Sequence, residues 1–201
     1  MFGTFSMTFG TFLKRILTIV AIGTLAACST KMKPEDFANQ DPRFVLENYF
    51  SGQTKAWGIF EDRFGNLRRQ FVVDINGTWD GETLVLDERF AYSDGEKDRR
   101  VWTIKKVDDH TYTGTAGDVV GTAQGKSYGN ALNWIYDLNL KVGDDTWKVH
   151  FDDWMFLQPE GVLLNRAEVT KWGFHVGTVT LSFRRAETDV AAASALQRAA
   201  E

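Results

Sequence analysis

The sequence has very few of the residues that crosslink or break a chain. It contains one cysteine, Cys28, and three prolines among 201 residues. A lone cysteine excludes any internal disulfide, so the folded part of the chain must be held together by its hydrophobic core. Glycine and aromatic residues are plentiful by contrast, with 18 Gly, 15 Phe and 7 Trp. This composition favours aromatic-rich strands joined by glycine-containing turns.

Long runs of positive charge are also missing. The formal net charge is −4. The sequence has no run of Lys and Arg residues that would indicate nucleic-acid binding. The histidines His110, His150 and His175 lack the spacing of metal ligands, so the sequence predicts no metal site and no cofactor. The run at 121–127 is only partly similar to a phosphate-binding loop, because Val120 stands where that motif requires glycine. We therefore expect no nucleotide site.

The first 28 residues predict export and a lipid anchor. Lys14 and Arg15 precede an uncharged stretch of about 12 residues, shorter than the roughly 20 that a membrane-spanning helix needs. The stretch ends in Leu25-Ala-Ala-Cys28, which resembles the bacterial lipobox. That resemblance implies cleavage before Cys28 and attachment there of diacylglycerol and a further acyl chain such as palmitate. Because Ser29 rather than aspartate follows, we expect the outer membrane, facing the periplasm.

We divide the chain into four segments: a signal peptide at 1–27, a polar tether at 28–40, a barrel domain at 41–185 and a loose tail at 186–201. Asp41-Pro42 predicts the start of a short helix over residues 42–50 that plugs or flanks the barrel. For the leader, an ordinary secretory signal with a chance cysteine is the alternative. The sequence leaves open whether Met1 or Met7 is the start.

From residue 54 onward, apolar and polar residues alternate with period two, which is typical of half-buried antiparallel strands. Turn signals such as Asn76-Gly77 and Asp94-Gly95 separate the runs. Long strands with almost no helix between them predict an all-β, up-and-down meander of about 8–10 strands. Such a meander would close into a lipocalin-like barrel with room for one small ligand; a β-sandwich is the alternative. The clearest runs are 67–79, 84–92, 132–140, 147–151 and 179–183.

Carboxylates on apolar strand faces are the main chemical signal. Glu88 and Asp153 each share a face with apolar residues, and a buried unpaired charge is costly. Arg166 or Lys171, on the next strand, is the predicted partner of Asp153. Trp154 falls on the polar face, which a β-bulge beside Asp153 would correct. The predicted ligand-binding set is Glu88, Asp152, Asp153, Trp154, Arg166, Lys171, Trp79 and Trp134.

Two interpretations of these groups compete. They either line a cavity and bind the polar head of an amphiphile, or form a buried ion-pair network that fixes strand register. We do not expect an enzyme, because no nucleophile with a neighbouring base is evident. The predicted function is binding of a hydrophobic or amphiphilic small molecule. The alternatives are an assembly factor that docks on an envelope protein, through a strand edge or the Lys171-Trp172 region, and a lipid-modifying enzyme.

Several short runs resemble a family of Gram-negative lipoproteins known only as a domain of unknown function. The resemblance covers about residues 40–185, together with the lipoprotein signal. It implies a lipocalin-like envelope protein without an assigned reaction. The runs are Gly77-Thr-Trp79-Asp-Gly81, Asp87-Glu-Arg-Phe90, Asp152-Asp-Trp-Met155, Asn165-Arg166 and Lys171-Trp172-Gly173.

Overall fold

A computed structural model describes residues 31–143 and 145–186 and confirms the all-β barrel. Its ten antiparallel strands pair in sequence order, and β10 closes on β1, so the sandwich alternative is wrong. The predicted signal peptide, Cys28 and nearly all of the predicted tail lie outside the described residues. The strands are β1 (Gly52–Asp62), β2 (Leu67–Trp79), β3 (Thr83–Tyr92), β4 (Lys97–Lys106), β5 (Thr111–Thr115), β6 (Val119–Tyr128), β7 (Ala131–Val142), β8 (Asp145–Leu157), β9 (Leu163–Lys171) and β10 (Phe174–Arg185).

Alternating side chains build the core inside the barrel. On β7, for example, Leu132, Trp134 and Leu138 are buried within it. The β7–β8 pairing runs without a break from Ala131 opposite Phe156 to the hairpin. The predicted bulge beside Asp153 is therefore wrong, and strict alternation decides which β8 side chains face the interior.

A short helix closes one end of the barrel. This helix, α1 (Leu46–Phe50), begins four residues later than predicted. The preceding residues are extended because Phe44 is tied to the β6–β7 hairpin: its N–H donates to Gly129 O (2.7 Å), and its carbonyl accepts from Ser127 Oγ (2.8 Å). In the described part of the chain, no helix is long and apolar enough to cross a membrane.

Polar side chains fix α1 in place. Glu47 is buried, and its carboxylate accepts from Lys106 Nζ (2.8 Å) and from the Tyr112 hydroxyl (2.9 Å). Burial acts to raise the pKa of Glu47, but these hydrogen bonds hold it below its ordinary value. The Tyr49 hydroxyl donates to Gly161 O at 3.0 Å. The helix is thus joined to strands on two sides of the barrel.

The stretch predicted as a tether contains a 3-10 helix, Pro34–Phe37. The Phe37 ring lies 5.9 Å from the Trp154 ring and 5.3 Å from the Phe156 ring, on the outer wall. A Cβ atom at Gly129 would overlap the Phe37 carbonyl, so glycine permits this close approach. This helix therefore packs beside the β6–β7 hairpin, at the end that α1 closes.

Candidate functional site

The barrel encloses a cavity of about 510 Å³, within the usual range for small-molecule sites. Leu46 and Phe50 of α1 form its floor. Arg69, Tyr92 and Gly143 line the opposite end, and no helix within residues 31–143 and 145–186 lies across it. We call the end with α1 the closed end, and the other the open end. The open end carries the hairpins at 62–67, 92–97, 115–119, 142–145 and 171–174.

The cavity wall is mostly aromatic and aliphatic. Tyr136 stacks parallel to Phe151 with ring centres 4.9 Å apart, and Trp102 meets Tyr136 edge-on at 5.4 Å. Aromatic pairs in these geometries contribute stabilisation in addition to that from the area they bury. The aromatic part of the wall is thus preformed for an apolar ligand.

Trp134 lies flat against the wall because two neighbouring positions lack side chains. A Cβ atom at Gly114 would come within 2.7 Å of the Trp134 ring, and one at Gly125 would overlap it. These glycines therefore make a slot for the indole on β5 and β6. The slot keeps the ring out of the centre of the cavity.

Asp153 is a buried acid on the wall. Its carboxylate accepts a hydrogen bond from Asn165 Nδ2. Burial raises its pKa to about 7, the negative charges of Asp152 and Glu88 add to the rise, and Asn165 and Arg100 oppose it. Near neutral pH, Asp153 is therefore partly a neutral acid, which can donate a hydrogen bond, and partly an anion.

Glu88 is a second acid of the same kind. Burial raises its pKa to about 7, the charge of Arg100 acts to lower it, and the charge of Asp118 acts to raise it. Within the described part of the chain, no side chain hydrogen-bonds to its carboxylate. Glu88 therefore faces the cavity with its hydrogen-bonding capacity unused.

Arg100 is the cation beside Glu88 on the cavity wall, and Arg68, Arg69 and Lys141 line the open end. Arg100 stands directly across from Glu88 in the β3–β4 pairing. Its guanidinium donates two hydrogen bonds to Asp118 Oδ2, from Nε at 3.0 Å and from Nη2 at 2.6 Å. Burial acts to lower the pKa of Arg100, but the Asp118 hydrogen bond and the charge of Glu88 raise it overall. Because Asp118 neutralises it, Arg100 is not a dedicated counterion for Glu88.

Asn165 presents an unmatched acceptor. The side chain is only 3% exposed and lines the cavity. Its Nδ2 donates to Asp153 and to Trp154 O (3.2 Å), whereas its buried Oδ1 has no hydrogen-bond partner. Buried polar atoms are rarely left unsatisfied in native proteins. This oxygen is fully buried, so it lies behind the cavity surface and is not available to a ligand.

Three of the predicted site residues line the cavity: Glu88, Asp153 and Trp134. Trp79 packs against the core at the closed end, outside the cavity lining. Lys171 has its Nζ 3.5 Å from the centre of the Trp147 ring, near the open end.

The other three, Asp152, Trp154 and Arg166, lie on the outer wall, because β8 and β9 alternate without a bulge between them. Asp152 accepts from Asn133 Nδ2 (2.8 Å), and Arg166 Nη1 pairs with Glu168 at 3.1 Å. Arg166 is therefore not the partner of Asp153, and none of the three lines the cavity.

Arg100 and Asn165 are among the cavity residues that the sequence prediction missed. Both follow from alternation. Arg100 shares its face with Trp102 and Ile104, and Asn165 shares its face with buried neighbours on β9. Extending the period-two reading to 97–106 would have found Arg100.

A closed up-and-down barrel with a helical floor and an internal cavity defines this protein as a lipocalin-like barrel. The chain belongs to the family described as "Protein of unknown function (DUF3833)", whose model matches residues 22–185, as the resemblance predicted. No curated protein matches the chain. Among solved structures it is similar to an S-type phycobiliprotein lyase from Guillardia theta, with 11% identity and a TM-score of 0.50. The match covers 79% of this chain and 95% of that one, and at this identity it supports the fold alone.

Proposed function

We propose that this protein binds an amphiphilic small molecule inside the barrel. The observation that carries the proposal is a roomy apolar cavity with Glu88, whose carboxyl has no side-chain hydrogen bond within the described residues, on its wall. Pockets of this composition bind ligands by apolar contact and orient them by a few hydrogen bonds. The structural neighbour is named as a phycobiliprotein lyase; it supports the fold of the proposed binding protein and leaves the ligand to be found.

The charges deep in the cavity indicate which head group fits there, whereas Arg68, Arg69 and Lys141 line the cavity at its open end. Arg100 is neutralised by Asp118, while Glu88 and Asp153 are each either a neutral acid or an anion. An anionic head would be repelled by ionised Glu88 or Asp153. An uncharged hydroxyl or a cationic amine would instead find acceptors. We therefore infer a ligand with an apolar body and an uncharged or cationic, hydrogen-bonding head.

The test uses the full chain and three probes with the same sixteen-carbon tail: hexadecanol, hexadecylamine and palmitic acid. Trp102 and Trp134 line the cavity, so intrinsic fluorescence reports occupancy. We expect the alcohol and the amine to bind at least tenfold more tightly than the acid at pH 8. Equal binding of all three would contradict the inferred head group, and binding of none would contradict the carrier function.

A matched pair of variants locates the binding. Ala167→Phe places a ring inside the cavity, whereas Ala91→Phe places the same ring on the exposed outer face of β3. The first should abolish probe binding while the barrel stays folded by circular dichroism, and the second should leave binding unchanged. Chemical conversion of a probe, lost in Asp153→Asn, would instead favour the lipid-modifying enzyme.

We also propose that a lipid on Cys28 holds the protein at the outer membrane, facing the periplasm. The support is the lipobox-like run ending at Cys28. Radiolabelled palmitate should label the wild-type protein in cells and fail to label Cys28→Ser. Sucrose-gradient fractionation should place the labelled protein with the outer membrane; recovery with the inner membrane would contradict that location.

A further inference from the structure

Two neighbouring hairpins at the open end carry large, exposed aromatic side chains. Phe64 lies in the β1–β2 hairpin and is 74% exposed. Trp172 and Phe174 lie in the β9–β10 hairpin and are 85% and 74% exposed. Single exposed apolar residues are common, but three aromatic rings this exposed at one end of a barrel call for a partner. We call Phe64, Trp172 and Phe174 the aromatic rim.

The aromatic rim is one surface because its two hairpins are adjacent. β1 and β10 are paired up to Asp62 opposite Gly177. Beyond that pair, the Arg63 N–H donates to the Val176 carbonyl at 3.1 Å. The two tips therefore lie side by side at the mouth of the cavity.

The backbone at Trp172 goes against ordinary turn chemistry. Trp172 has φ 53° and Gly173 has φ 80°, so both central residues of this two-residue turn are left-handed. Asn-Gly is the favoured pair in such turns, and a bulky residue there is strained. Strain kept at an exposed position points to a use for the side chain rather than for the fold.

Cations accompany the exposed rings. The Arg63 guanidinium lies 4.6 Å from the centre of the Phe64 ring, and Lys171 Nζ lies 4.7 Å from the centre of the Trp172 ring. Asp62, the acid next to Arg63, pairs with Arg68 at 3.1 Å. Aromatic rings flanked by Lys or Arg are the combination that settles at a membrane surface, with the rings at head-group level and the cations near phosphates.

We propose that the aromatic rim docks the open end of the barrel onto a phospholipid bilayer. A projecting set of rings suits insertion between lipid head groups. Continuity with the cavity gives the docking a purpose, because a poorly soluble ligand would pass between bilayer and barrel without crossing water. The docking itself rests on the rim and does not require the proposed ligand.

The experiment places an environment-sensitive fluorophore on a cysteine substituted for Phe64, in the full chain carrying Cys28→Ala. The fluorophore stands in for the ring. The matched control carries the same fluorophore at Asp109, an exposed position at the closed end. The N-terminal segment can hold the chain on vesicles whatever the rim does, so the readout is the surroundings of the probe and not binding of the protein.

Vesicles contain phosphatidylethanolamine and phosphatidylglycerol at 3:1, with a spin-labelled lipid as quencher. We expect the probe at position 64 to shift to shorter wavelength and lose at least half its emission, while the probe at position 109 stays unchanged. Trp172→Ser with Phe174→Ser should reduce the quenching at least threefold. Vesicles of phosphatidylcholine alone, or high salt, should weaken it as well.

Three outcomes would overturn the proposal. Equal quenching at both positions would mean nonspecific adhesion. A probe at position 64 that stays in water on every vesicle would exclude a bilayer, and its burial only on addition of envelope proteins would assign the aromatic rim to a protein partner. Binding of hexadecanol and hexadecylamine in the cavity is measured separately. Failure of docking therefore leaves the cavity proposal standing, and failure of cavity binding leaves the docking proposal standing.

Discussion

The two ends of the barrel are built on opposite principles. At the closed end, hydrogen bonds hold α1 in place: Glu47 accepts from Lys106 and Tyr112, and the Tyr49 hydroxyl donates to Gly161 O. At the open end, rings project into solvent and Trp172 occupies a strained turn. The closed end contributes stability, while the open end is left free for a partner. Substitutions should therefore have different consequences at the two ends.

The largest expected effect is at the closed end, in Glu47→Ala. Removing this carboxylate leaves a Lys106 ammonium and a Tyr112 hydroxyl without their acceptor in a mostly buried place. We expect the free energy of unfolding to fall by about 3 kcal/mol, measured by urea denaturation. The control Glu82→Ala, an exposed acid in the β2–β3 turn, should change it by less than about 0.5 kcal/mol. Equal effects of the two variants would mean that α1 does not secure this end.

The next effect concerns the acids between the two ends. A carboxyl whose folded pKa is raised to about 7 from an ordinary 4.5, as for Glu88, stabilises the fold fully below pH 4.5 and loses that contribution as pH rises through 7. Glu88→Gln should therefore be more stable than wild type by about 2 kcal/mol at pH 8. The advantage should vanish by pH 4. Urea titrations at both pH values check this, and an advantage that grows toward acid pH would contradict the buried state of Glu88.

Glycines offer the same comparison within one hairpin. Gly125→Ala overlaps the Trp134 ring and should cost about 1 to 2 kcal/mol, with a change in tryptophan emission. Gly117, at the open end of the same β5–β6 hairpin, has open space around it. Gly117→Ala should therefore be neutral or slightly stabilising. A harmless Gly125→Ala would show that the slot for Trp134 is looser than the contacts indicate.

The smallest expected effect is a stabilisation at the open end. Trp172→Asn replaces a strained residue by one that tolerates the left-handed conformation, and should raise the free energy of unfolding by about 0.5 to 1 kcal/mol. The same variant should weaken quenching of the probe at position 64. Chemical denaturation and the vesicle assay together test whether stability has been given up for docking; a destabilised Trp172→Asn would show instead that the indole supports the fold.

Sequence periodicity predicted the barrel because long antiparallel strands with one buried face repeat every two residues, as on β7. The same rule placed Glu88 and Asp153 inside. It failed at Trp154, where an apolar residue on the outer face suggested a bulge. The true reason is tertiary: Phe37, far away in the sequence, covers that ring. Contacts made by a separate segment cannot be read from the strand itself.

The helix and the polar partners show the same limit. Phe44 is held by Ser127 and Gly129, so the helix begins after it although local capping residues favoured an earlier start. Arg166 was expected to pair with Asp153 because it lies on the next strand, yet the alternation of β9 places its side chain on the outer face. The pairing of Arg100 with Asp118 joins β4 to the β5–β6 hairpin. It can be predicted only when the strand order and register of the barrel are known.

The position of the 3-10 helix Pro34–Phe37 gives the barrel a polarity. It packs beside the β6–β7 hairpin, so Lys33 leads into the barrel at the closed end. The point where the chain enters and the aromatic rim therefore lie at opposite ends of the barrel, and neither obstructs the other.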